Sequence, residues 1–204
     1  MSTKIKLLAI IFAVLIVDQA LKIYIKTHFQ YGEDMPLFGG TWAYFNFVEN
    51  KGMAFGLSLG GDYGKLALSL FRIVAVVLLW IYIGRLIKAK AHIGLLISFA
   101  LIFAGAVGNI IDSAFYGLIF SESAYHGGVA TMFPAGGGYA GFLHGKVVDM
   151  LYFPIIDTVL PDWLPFWGGQ RFEFFKPVFN IADASISVGV AILLVFYKKF
   201  FGEH

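Results

Sequence analysis

Two short motifs place carboxylates where hydrocarbon is expected. Asn109-Ile110-Ile111-Asp112 and Asn180-Ile181-Ala182-Asp183 both read Asn-x-x-Asp, each inside a run apolar enough to cross a bilayer. At i, i+3 the two polar side chains of a motif share one helix face and can bond each other or a common partner. A charged aspartate in hydrocarbon costs roughly 2.5–3.5 kcal/mol even on the milder insertion scales, so something must hold Asp183 there. The partner we assign is Asp149, which follows Val147-Val148 and precedes Met150-Leu151-Tyr152-Phe153. Two carboxyls brought together cannot both ionise cheaply, so one pKa rises and the pair shares a proton. The ionised member can then take a proton from water while the protonated one donates to a carbonyl or a leaving amine. That is the chemistry of hydrolysis by activated water. Three other uses of the same acids stand beside it: polar glue between helices, the proton relay of a small proton-coupled transporter, and a structural or assembly role.

Other polar groups read more plainly. Asp18 and Lys22 are spaced i, i+4, which suits a neutralising ion pair that braces the bundle. Arg72 can snorkel to the headgroups. His126 and His144 fall in a glycine-rich segment and read as solvated rather than ligating. There is no His-Glu-x-x-His for zinc. Gly136-Gly137-Gly138-Tyr139-Ala140-Gly141 fits Gly-x-Gly-x-x-Gly but lacks a strand–turn–helix unit around it, and reads as a flexible loop. The chain has no Cys, and neither a metal nor a cofactor is expected.

The elements that must position these groups are membrane helices. Of the 204 residues 59% are hydrophobic and 14% charged, and mean hydropathy is +0.78; a soluble domain averages about 25% charged. Net charge is only +2 with no basic block, so nucleic acid is excluded as a partner. We read an all-α membrane bundle forming a single domain over 1–204. Its four transmembrane helices run at about 5–25, 66–87, 93–115 and 178–200. The first is a retained helix rather than a cleaved leader, being too long and containing Asp18 and Lys22. Lys4 and Lys6, then Arg85, Lys88 and Lys90, then Lys198 and Lys199 share one side, which puts both termini in the cytoplasm. The segments of about 27–65 and 116–177 therefore face outward as interfacial loops, rich in aromatics such as Trp163, Phe166 and Trp167. Residues 41–48 read as a strand. With this topology Asp18, Lys22, Arg72, Asn109, Asp112, Asn180 and Asp183 all converge on the outer leaflet.

Five ordered blocks then resemble the bacterial lipoprotein signal peptidases, signal peptidase II. These are Asp18-Gln19-Ala20-Leu21-Lys22, Asn50-Lys51-Gly52-Met53-Ala54-Phe55-Gly56, Gly108-Asn109-Ile110-Ile111-Asp112, Val147-Val148-Asp149 and Phe179-Asn180-Ile181-Ala182-Asp183. The resemblance implies an aspartic endopeptidase with Asp149 and Asp183 as its catalytic dyad. Asn50, Gly52, Asn109, Asp112 and Asn180 would contact substrate or order the site, with Asp18 and Lys22 as structural support. It also implies a small extracytoplasmic β-sheet cradle and an outward helix resting on the bilayer. The substrates would be diacylglyceryl-modified prolipoproteins within membrane lipid, cut just before the lipidated cysteine. Inhibition by cyclic peptide antibiotics of the globomycin type would follow, as would a place in the inner membrane.

The chain departs from the family pattern at Ser113, where an arginine usually follows Gly-Asn-x-x-Asp. Lys146 or Arg72 is expected to supply the cation beside Asp112, so that Lys146→Ala would impair activity. The stretches of about 114–145 and 152–177 are longer than the pattern needs, and either a lid over the site or a contact with the lipid surface is open for them.

Overall fold

A computed structural model describes residues 2–40, 42–50, 61–125 and 127–201. Gly52, with the rest of its block from Lys51 onward, and His126 lie outside the described residues. Helix α1 (Thr3–His28) starts where the Ser2 side chain accepts from the Ile5 N–H, and it ends with Lys26 and His28 in its last turn. Helices α2 (Gly61–Lys88) and α3 (Ile93–Ile111) follow; α3 runs on through a π-helical turn (Asp112–Tyr116) into the short α4 (Gly117–Ile119). Among the described residues three helices are long and apolar enough to cross a membrane: Thr3–His28, Tyr63–Lys88 and Ile93–Ile119. Leu70, Phe71, Val74, Val77, Leu78 and Ile81 of α2 are exposed large apolar side chains, which a helix in hydrocarbon can leave so without cost.

The last predicted span differs from expectation. Residues Val178–Phe179 form a strand, Asn180 is the N-cap, and the helix proper is α5 (Ile181–Val195), 15 residues long. At 1.5 Å per residue that is about 22 Å, short of a bilayer core of about 30 Å. After Phe196 the chain continues as α6 (Tyr197–Phe201). Asp183 thus lies in the first turn of α5 rather than one and a half turns inside. The physical reason is capping: the Asn180 side chain accepts from the Asp183 N–H, and an asparagine in that role begins a helix.

Helix α3 is the centre of the bundle and α5 lies tightly against it. A Cβ on Gly105 would run into the Ala182 carbonyl, and one on Gly108 would come within 2.8 Å of Asp18 Oδ2. Small residues at such a crossing let polar groups of neighbouring helices reach one another. Ser185 Oγ on α5 donates to the Leu101 carbonyl of α3 at 2.8 Å.

The sheet sits at one end of the helices. Strands β1 (Asp34–Pro36), β2 (Tyr44–Asn50), β3 (Val147–Tyr152) and β6 (Val178–Phe179) are ordered β1-β2-β3-β6 and are antiparallel throughout. The sequence-predicted strand at 41–48 is β2, displaced toward Asn50. A register shift between Phe45 and Val48 brings Val48 opposite Asp149. Beneath the sheet Ile25 and Phe29 of α1 pack with Phe47, Val148, Met150, Tyr116 and Phe120. The start of α2 belongs to the same end, since Ser69 Oγ donates to the Leu143 carbonyl at 3.1 Å. Two further strands, β4 (Ile156–Val159) and β5 (Arg171–Phe174), pair with each other and, among the described residues, with no other strand. The glycine-rich 136–141 stretch is no free loop: Tyr139 N–H donates to Phe120 O at 3.1 Å and Ala140 N–H to Gly117 O at 2.9 Å.

Candidate active site

The lowest layer of the site is an ion cluster anchored on α1. Lys22 is fully buried, and its ammonium reaches Asp18 Oδ2 at 2.9 Å, Asp112 Oδ2 at 2.8 Å and Asn109 Oδ1 at 2.9 Å. Three donors meet three acceptors, so the charge is fully coordinated. Asp18 does more than pair within its helix: its Oδ1 accepts from the Ala182 N–H at 2.9 Å, one of the donors that the opening turn of α5 leaves unpaired. Asp112 accepts from Gln19 Nε2 at 2.9 Å and from the Val148 N–H at 3.2 Å, which fastens β3 to the end of α3.

Above this layer two asparagines bridge the elements that carry the two remaining acids. Asn109 Nδ2 donates to Asp183 Oδ1 at 2.8 Å. Asn180 Nδ2 donates to Asp149 Oδ1 at 2.7 Å and to Asn109 Oδ1 at 3.2 Å, while Asn180 Oδ1 accepts from the Asp183 N–H at 2.8 Å. The other Asp149 oxygen accepts from Asn50 Nδ2 at the end of β2. Asp149 is therefore gripped from β2 and α5 at once. Burial, with the Asp183 charge added, pushes its pKa up to about 8. Lys22 and the Asn180 bond act in the opposite direction and do not cancel the rise. A carboxyl that stays neutral at pH 7 can donate a proton, and an ionised neighbour can accept one.

Asp183 is half-buried and lines a cleft of about 230 Å³ with Asn109, Arg72, Ala75, Val76, Leu79, Ile102, Ala106 and Ile186. Arg72 thus faces the Asp183 side of the site rather than reaching for headgroups alone. The cation bonded to Asp112, where Lys146 or Arg72 was expected, is Lys22. Lys146, just before β3, instead lies 3.2 Å from Glu122 and 3.8 Å from Glu49. Ser113 is met by Lys65 of α2, Nζ to Oγ at 3.5 Å.

Asp18, Lys22, Asn50, Asn109, Asp112, Asp149, Asn180 and Asp183 are all brought together in this assembly. Sequence reasoning missed two features. Gln19 touches Asp18, Asp112 and the Gly108 carbonyl, and only its place beside Asp18 hinted at this. Lys26 forms a buried ion pair with Glu49, donates to Ser123 Oγ at 2.8 Å and sits 5.1 Å from the Tyr139 ring. A lysine four residues after Lys22 and an acid just before Asn50 were the available signals.

Comparison with known proteins gives concordant results. The family model described as Signal peptidase (SPase) II matches residues 10–199. A lipoprotein signal peptidase of Porphyromonas gingivalis is 50% identical over 192 residues, which cover 94% of this chain and 82% of the relative. One from Amoebophilus asiaticus is 36% identical, covering 88% of this chain and 72% of that one. In fold, the chain is similar to a bacterial membrane enzyme solved by the in meso method at 2.3 Å. The TM-score is 0.60 and the identity 21%, with 98% of this chain and 92% of the other covered. With the family model running almost end to end and one relative half-identical across nearly all of the chain, the protein belongs to the signal peptidase II family and is a peptidase.

Proposed function

We propose that this protein is an aspartic endopeptidase that removes the signal peptide from diacylglyceryl-modified prolipoproteins, cutting just before the lipidated cysteine. The observation that carries the mechanism is Asn180, which bonds the Asp149 carboxyl through its amide and the Asp183 backbone through its carbonyl. Asp149 enters the reaction protonated, hydrogen-bonds the scissile carbonyl and gives its proton to that oxygen as water adds. Asp183, whose charge contributes to holding that proton, takes a proton from water as the water attacks. The proton on Asp183 then passes to the leaving amine of the cysteine while the tetrahedral oxygen returns a proton to Asp149. Asn50, Asn109 and Asn180 hold the two acids; Asp18, Lys22 and Asp112 hold the asparagines and the opening of α5. Gly52, two residues after Asn50 in the sequence, is assigned to substrate contact or to ordering of the site.

The same reading gives four membrane crossings, with α5 and α6 together making the last and both termini in the cytoplasm. The clusters Lys4/Lys6, Arg85/Lys88/Lys90 and Lys198/Lys199 support it. The sheet and the dyad then face outward at headgroup depth, where a lipid-anchored precursor presents its cleavage point. The cleft between α2, α3 and α5 opens beside Asp183 and is mostly apolar, which suits a substrate arriving laterally from the bilayer. The proton-coupled transporter draws no support from the family match.

The test is cleavage of a diacylglyceryl-modified precursor by purified protein, run against the unlipidated precursor. The lipidated form should be cut and the other left intact. Asp149→Asn and Asp183→Asn should each fold and leave the precursor whole, and a cyclic peptide of the globomycin type should block the native enzyme. Full cleavage by either variant removes the dyad.

A further inference from the structure

The hairpin of β4 and β5 has no part in the site. Among the described residues its strands pair only with each other, Ile156 with Phe174 through Val159 with Arg171. A lone two-stranded hairpin is marginal in water and needs a surface to pack against. In this register Ile156, Phe172 and Phe174 share one face, and all three are exposed. The tip is more apolar still: Trp163 is 79% exposed, Phe166 90% and Trp167 59%. These rings do not stand out because the loop is loose. Leu164 N–H donates to Pro161 O, Gly168 N–H to Leu164 O, and Leu160 and Gln170 close the turn backbone to backbone. Phe166 is even held at φ +73°, a left-handed conformation costly for a bulky residue, with its ring directed outward. A tied loop that presents strained aromatics to the outside is built to meet another surface.

The base of the hairpin identifies that surface. Phe175 stacks edge-on against Phe179 at 6.4 Å, and Phe179 immediately precedes the Asn180 cap of α5. From Phe179 the aromatic contacts continue to Phe153 at 5.7 Å, Trp42 at 6.3 Å and Phe38 at 6.0 Å. This band ends at Phe179, directly before the cap from which the apolar helix α5 begins. Tryptophan and phenylalanine at such a border favour the headgroup layer, where the ring leaves water without entering the hydrocarbon centre.

We propose that the β4–β5 hairpin is a membrane-docking element, its tip bedded in the headgroup layer of the bilayer at the sheet-bearing end of the helices. The occupant of its apolar face is lipid, not substrate and not a second protein. This does not depend on the dyad, because docking can be read without any cleavage.

The experiment uses the full chain in nanodiscs of phosphatidylcholine brominated either near the glycerol or near the chain end. Single-tryptophan variants retain Trp163, Trp167 or Trp80, the other tryptophans being changed to phenylalanine. The Trp80 variant, its tryptophan exposed on α2, reports incorporation and should be quenched by the brominated lipid. Trp163 and Trp167 should be quenched at least two-fold more by the shallow label than by the deep one. If Trp80 is quenched while both hairpin tryptophans are indifferent to either label, the hairpin does not dock on lipid and the proposal is overturned. Quenching of Trp163 and Trp167 mainly by the deep label overturns it as well, since the tip would then be buried in hydrocarbon rather than bedded at the surface.

Discussion

Asn109 and Asn180 are bonded to each other, Asn180 Nδ2 donating to Asn109 Oδ1 at 3.2 Å. Each then reaches one aspartate, Asn109 on Asp183 and Asn180 on Asp149. The spacing of the two carboxyls is therefore set by an amide pair contributed by α3 and by the cap of α5. Neither acid depends on the other to stay in place.

Replacing Asn180 by alanine should remove both services at once. Loss of an N-cap costs about 1 kcal/mol, and the bond to Asp149 goes with it. We expect a lower melting temperature and at least a 100-fold drop in cleavage rate. Asn180→Asp keeps a capping acceptor but puts a third carboxyl against Asp149, so it should recover most of the melting temperature and little of the activity. Thermal unfolding alongside a precursor-cleavage assay separates the two effects.

The raised pKa of Asp149 makes a prediction with a definite sign. Its ordinary value is 3.8 and its folded value about 8, so between them the folded protein keeps a proton that the unfolded chain releases. Stability attributable to this group thus declines as pH rises through that interval and levels off above about 8. Asp149→Asn should abolish that slope and gain most, relative to the native protein, at alkaline pH. If Asp149 is the proton donor as proposed, cleavage by the native enzyme should fall as pH passes about 8, when that proton is lost. Melting curves and kcat/KM across pH, in one fixed lipid mixture, check both.

Lys22→Met should be among the most damaging single changes. It leaves Asp18 and Asp112 buried side by side with no cation between them, and breaking a buried pair costs about 3–5 kcal/mol. Asp112→Asn in the Lys22→Met background should recover part of the loss. The yield of folded protein and its melting temperature are the measurements.

Two lysines near Glu49 should behave oppositely. Lys26 and Glu49 are both buried and tie α1 to β2 one residue before Asn50, so Lys26→Met or Glu49→Gln should lower both stability and cleavage. The double variant should cost less than the sum, as coupled partners do. Lys146 is half-exposed and its ion pair with Glu122 faces solvent, where such pairs contribute little. Lys146→Ala should stay within about two-fold of native activity, contrary to what the missing arginine at Ser113 suggested from sequence.

Much of this could be read from the residues themselves. Composition and run length showed the first three helices, and the cost of burying Asp112 and Asp183 singled out the acids. The helix-face reading of the second Asn-x-x-Asp failed for a local reason. The same spacing serves a cap as well as a face, and only the pairing of Val178–Phe179 with Leu151–Tyr152 decides that the helix starts at Ile181. Lys22 looked complete with Asp18, four residues away, because nothing in a one-dimensional pattern reveals that Asp112 folds onto the same ammonium. The sheet was legible only at β2, since its other strands are too short or too uniformly apolar to alternate.

Starting α5 on Asn180 ties machinery to architecture. The residue that launches the helix also grips the acid on the neighbouring strand, so fraying of the first turn would loosen the proposed dyad at once. Warming should switch the protein off abruptly, at the temperature where that turn lets go, instead of eroding its output degree by degree.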